Sequence, residues 1–87
     1  MGLLIRYHES FEKHYKRLPQ NIKNTAKAKE PIFRQNPFYP ALRTHKLSGK
    51  EEEVWAWWIN YRYRIKFVFL NSEEVLFLDV GTHEIYK

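Results

Sequence analysis

From Glu53 to Tyr86 the chain falls into three apolar, aromatic and β-branched runs. They are EVWAWWIN, YRYRIKFVFL and VLFLDVG, parted by Asn60-Tyr61 and by Asn71-Ser72-Glu73-Glu74. Such runs between turn residues predict an antiparallel meander. In the middle run Tyr61, Tyr63, Ile65, Phe67 and Phe69 alternate with Arg62, Arg64, Lys66, Val68 and Leu70. Alternate residues of a strand face opposite sides. One side of this strand is therefore apolar, and the other opens on three successive cations. In the run before it, Trp55, Trp57 and Ile59 fall on one face, and Ala56, Trp58 and Asn60 on the other.

The first half has a different period. Leu3 to Tyr7 is a short apolar run, read as a first strand. Glu9-Ser10 opens a helix with Ser10 as its N-cap. Phe11, Tyr15 and Leu18 follow at i, i+4 and i+7, which makes one apolar stripe. Pro19 stops this helix and starts a second, from about Gln20 to Arg34, which Pro31 is expected to end early or kink. Asn36-Pro37 and Tyr39-Pro40 mark an extended connection. A basic loop from Leu42 to Lys50 leads into the meander. The order β-α-α-β-β-β predicts an α+β domain over residues 1–87: a small, twisted, mainly antiparallel four-stranded sheet with two N-terminal helices packed on one face.

Composition narrows the possible partners. The chain has 87 residues, a net charge of +5 and no cysteine. Disulfides and cysteine-bound metals are excluded. The positive balance favours an anionic partner: nucleic acid, an acidic protein or a membrane surface. No apolar run approaches the roughly 20 residues of a membrane-spanning helix. The start, MGLLIRYHES, is too quickly polar for a signal peptide, and Arg6 breaks a myristoylation motif. The expectation is a cytoplasmic protein.

Four histidines are available. His8 and His14 read as surface residues. His45 and His83 each stand beside the meander, one before its first strand and one after its last. No HxH or HxxxH spacing occurs, so no metal site is expected. Imidazole titrates near neutral pH, so these two suit proton transfer; capping a turn fits them equally well. Arg62, Arg64 and Lys66 suit phosphate binding or a solvated face. Trp58 beside them suits base stacking or a place under the chain's own loops.

A wider pattern runs through these residues. Ile5-Arg6-Tyr7, Phe11, Lys16, Leu18-Pro19, Asn36-Pro37, His45-Lys46-Leu47-Ser48-Gly49, Trp55, Ile59-Asn60, Tyr63-Arg64-Ile65, Phe77 to His83 and Ile85-Tyr86 occur in an order that resembles the RelE/ParE superfamily of toxins from toxin–antitoxin pairs. HKLSG, YRI and LDVGTH are the most specific segments. The resemblance implies the four-stranded sheet with two helices. For its RelE and YafQ branches it also implies metal-independent mRNA cleavage on the ribosome. It places histidines at His45 and His83, and gives Arg64 and Tyr86 to the scissile phosphate and the RNA. RelE-branch members carry cations along the first meander strand, where Ala56 and Trp58 stand here.

The resulting expectation is a toxin that acts as a ribosome-dependent endoribonuclease. His45 and His83 serve as base and acid in either order, Arg64 and Tyr86 complete the catalytic set, and Asp79 orients a histidine or Arg64. Lys46, Lys50, Trp58, Arg62 and Lys66 hold RNA. The expected partners are an acidic antitoxin, mRNA and the ribosome, with no cofactor, metal or membrane. A ParE-like gyrase inhibitor and a catalytically silent antitoxin-binding member are the alternatives.

Overall fold

A computed structural model describes residues 2–47, 53–82 and 84. Its strands are β1 (Leu4–Tyr7), β2 (His45–Lys46), β3 (Trp55–Trp58), β4 (Tyr63–Phe69) and β5 (Glu74–Thr82). Its helices are α1 (Glu9–Lys16) and α2 (Gln20–Gln35). The sheet order is β1-β5-β4-β3-β2. β1 runs parallel to β5, and every other pairing is antiparallel. The fold is α+β with the expected element order, plus one strand. The addition is β2, a two-residue edge strand on the basic loop, so the sheet has five strands rather than four.

The helices settle on one face because their buried residues have one destination. Phe33 of α2 is fully buried. Its ring stacks on Trp57 at 5.4 Å and meets Phe67 edge-on at 5.0 Å and Phe77 at 5.4 Å. Phe11 of α1 reaches Phe77 at 5.4 Å. Ile22, Ala26, Ile59, Ile65, Val75 and Val80 complete this core, with Tyr15, Leu18 and Trp55 packed against it. The stripe of α1 and the inward set of β3 therefore fall where their periods put them.

Two local expectations are corrected. The N-cap of α1 is His8, not Ser10: its ring Nδ1 accepts from the Ser10 backbone N–H at 3.0 Å. Pro31 does not end α2, which continues to Gln35. An internal proline typically costs about 3 kcal/mol by removing one backbone bond. Burial of Phe33, two residues on, offsets that, and the Asn36 N–H closes the last turn on the Ile32 carbonyl at 2.9 Å.

β5 carries an irregularity that matters below. Lys66 of β4 stands opposite Asp79, and the next residue, Phe67, stands opposite Phe77. Leu78 is thus an extra residue, a β-bulge, which turns the strand locally. β1 stops opposite Phe77, so Leu78 to Thr82 have no partner from β1.

Candidate functional site

The face of the sheet away from the helix core carries two neighbouring rows. One runs His45, Ala56, Lys66 across β2, β3 and β4, and ends opposite Asp79, where β5 turns toward α1. The other runs Trp58, Arg64, Gly81 across β3, β4 and β5. The outward assignment of Trp58, Arg64 and Lys66 holds. Arg62 differs: β4 begins at Tyr63, so Arg62 belongs to the exposed turn and not to the strand.

That turn is built by Asn60. Its side-chain oxygen accepts from the backbone N–H groups of Arg62 and Tyr63, both at 2.9 Å. Arg64 locks the same turn from the strand. Its Nη1 donates to the Asn60 carbonyl at 3.0 Å and to the Tyr61 carbonyl. Its guanidinium also lies over the Trp58 ring, 4.0 Å from the centroid. Arg64 is consequently buried, at 9% exposure, and is not the open ridge residue that alternation suggests. The two carbonyl bonds use Nη1 alone. Nε and Nη2 are the donors left to face a ligand.

His45 is exposed on the edge strand, with its Nδ1 2.9 Å from the Arg43 carbonyl. A carbonyl only accepts, so Nδ1 carries the proton and the neutral ring holds its lone pair on Nε2. Lys46 is exposed next to it, opposite Trp55. Lys66 is half-buried between Ala56 and Asp79 in the register. Tyr61, Arg62, Arg64, Thr82 and Glu84 surround an open depression of about 680 Å³ at this end of the sheet. His83, Tyr86 and Lys50 lie outside the described residues.

Asp79 is partnered by a histidine of α1. Its Oδ1 meets His14 Nδ1 of α1 at 2.6 Å and also accepts from the Val80 N–H at 2.8 Å. The histidine it orients is His14, not His45, and it does not touch Arg64. The bulge at Leu78 and the missing β1 partner expose this stretch of β5 to α1. His14 sits three residues from Phe11 and four from Leu18, on the margin of the apolar stripe, and that spacing was the available signal.

Arg43 is the residue that sequence reasoning passed over. It follows a 3₁₀ turn at Pro40–Leu42 and has φ 54 and ψ 34, a left-handed conformation. It is the one non-glycine residue with positive φ among those described. Its carbonyl orients His45, and its guanidinium lies over Trp58, 5.3 Å from the ring centroid. The basic loop was visible in the sequence; its backbone strain was not. Among the described residues no group of three or more His, Cys, Asp or Glu side chains could hold a metal ion.

No protein-family model and no curated protein matches the chain. Solved structures do. A YoeB/ParE toxin from Agrobacterium tumefaciens superposes with a TM-score of 0.78 at 14% identity, over 93% of this chain and 99% of that one. The DinJ–YafQ toxin–antitoxin complex of E. coli contains a chain with a TM-score of 0.77 at 17% identity, over 98% and 97%. The archaeal RelE–RelB complex of Pyrococcus horikoshii contains one with a TM-score of 0.74 at 15% identity, over 94% and 96%. Identities this low establish fold and nothing finer. The chain has the fold of the RelE/ParE superfamily of toxins.

Proposed function

We propose that the protein is the toxin of a toxin–antitoxin pair and cleaves mRNA on the ribosome. The observation that carries this reading is the outer sheet face, where His45, Trp58, Arg64 and Lys66 stand in two adjacent rows. A base, a stacking surface and two cations within a few residues of one another are what RNA cleavage needs.

In the proposed mechanism the RNA 2′-OH is the nucleophile. His45 Nε2 takes its proton, which the Arg43 carbonyl prepares by holding the proton of the ring on Nδ1. The 2′-oxygen attacks phosphorus, and the P–O5′ bond breaks. His83 protonates the leaving 5′-oxygen, and Arg64 Nε and Nη2 stabilise the charge of the phosphorane. The products are a 2′,3′-cyclic phosphate and a 5′-hydroxyl. Tyr86 orients the RNA, while Lys46, Lys50, Arg62 and Lys66 hold its backbone. The roles of His83 and Tyr86 rest on the sequence resemblance. An acidic antitoxin suits the net charge of +5.

Primer extension on mRNA in a translating extract tests the reading. Wild-type protein is expected to leave cuts with 5′-hydroxyl ends, and His45→Gln is expected to reduce them by about 10²-fold or more. Intact mRNA together with gyrase-linked DNA breaks would replace this reading with the ParE-like one. Intact mRNA with no DNA damage would leave an antitoxin-binding protein without catalysis.

A further inference from the structure

Two costs fall on Arg43, and neither serves the fold. Its left-handed backbone is one that glycine adopts without penalty, and glycine is the usual residue just past a helical turn. A side chain kept in such a conformation points to a function for that side chain. The second cost is electrostatic. The Arg43 and Arg64 guanidiniums lie over the same indole, at 5.3 and 4.0 Å from its centroid. Each gains a cation–π contact, but together they place two like charges on one ring. Among the described residues neither guanidinium forms an ion pair with a carboxylate; the pairs there join Arg6 to Glu74, His14 to Asp79 and Arg34 to Glu30.

An anion shared by both guanidiniums resolves the repulsion. Arginine suits this, because its planar fork binds phosphate oxygens two at a time. Both guanidiniums contact the Trp58 ring, and His45 stands two residues from Arg43. We infer that Arg43 and Arg64 form one phosphodiester seat over Trp58, with Arg43 as a further RNA-binding residue. The inference rests on the RNA reading above and adds to it a residue and a place for one phosphate. It also accounts for an uncharged β3. The cations come from the flanking loop and from β4, and β3 supplies the ring that both contact.

The test measures binding apart from cleavage. A short 2′-O-methyl oligoribonucleotide lacks the nucleophile and cannot be cut, so fluorescence anisotropy reads affinity alone. Arg43→Gly and Arg43→Asn both keep the left-handed backbone and the carbonyl on His45. Arg17→Ala, at the C-cap of α1, removes the same charge elsewhere. Each Arg43 variant is expected to weaken binding about 10-fold and to reduce the slope of log affinity against log salt by about 0.7, one phosphate's worth for a single strand. Trp58→Phe retains a ring and is expected to bind more tightly than Trp58→Ala. If the Arg43 variants weaken binding no more than Arg17→Ala does, the seat is overturned while the RNA reading stands. If the wild-type protein does not bind the oligonucleotide, the seat falls, and primer extension in the translating extract alone decides the RNA reading.

Discussion

Trp57 and Trp58 are adjacent on β3 and face opposite sides of the same sheet. Trp57 is fully buried and stacked on Phe33, with further contact to Phe77 at 6.1 Å. Trp58 is half-buried, and its neighbours are the guanidiniums of Arg43 and Arg64. The inner ring is covered by apolar groups whose release from water holds the fold together. The outer ring is covered by two charged side chains. The same residue type is structural on one face and available on the other, and what covers it makes the difference.

The largest expected effect lies on the inner face. Trp57→Ala removes the ring on which Phe33 stacks and should destabilise the protein by about 3–5 kcal/mol. Urea unfolding followed by circular dichroism measures this. A loss under about 1 kcal/mol would mean that the two faces do not differ as described.

Arg64→Ala should strike function about as hard and stability less. Loss of one charge-stabilising donor typically lowers a rate by about 10²- to 10³-fold. The same change frees the Asn60 and Tyr61 carbonyls from a charged donor, which should cost about 1.5–3 kcal/mol. Arg64→Lys keeps the charge but not the fork and should recover little of either. If Arg64→Ala cut mRNA at the wild-type rate while unfolding earlier, Arg64 would be a turn clamp and nothing more.

Trp58→Ala sharpens the contrast from the other side. It breaks two cation–π contacts and should cost about 1–2 kcal/mol, well below the cost at Trp57. Paired urea titrations of the two alanine variants decide this. Equal losses would show that the outer ring is also a core residue.

Several of these features were legible from the residues alone. Alternation along β3 and β4 placed Trp57, Ile65 and Phe67 inside and Trp58 and Arg64 outside, because period-two burial is local information. The stripe Phe11, Tyr15, Leu18 placed α1 for the same reason. What escaped was set by contacts distant in sequence. Arg64 was assigned to the correct face, but its burial depends on Trp58 opposite and on the turn carbonyls. His14 and Asp79 are 65 positions apart and meet where a bulge and a strand end coincide, neither of which leaves a pattern. The two residues of β2 have no apolar period, and the strain at Arg43 is a dihedral angle. Pro31 misled because a local penalty was outweighed by the burial of Phe33.

The smallest effect concerns a proton on the inner side. The Tyr7 hydroxyl donates to Glu30 Oε1 at 2.5 Å, tying β1 to α2. Burial first, and then this bond to a carboxylate, push its pKa up to about 12 from an ordinary 10.0. The sign follows directly. Below the ordinary value both folded and unfolded chains hold the proton, and its contribution is complete. As pH rises from 10 toward 12 the unfolded chain gives up the proton and the folded chain keeps it, so unfolding becomes progressively easier. Tyr7 is partly exposed, so solvent screening keeps the effect small. Tyr15 is also pushed up, by burial and then by Glu30, and adds to the same alkaline slope. Tyr7→Phe removes the titrating group while keeping the ring stacked on Phe11 at 5.5 Å. Its urea midpoint should therefore fall less steeply with pH across that window than the wild-type midpoint. Identical slopes in the two proteins would show that the bond to Glu30 does not hold the proton.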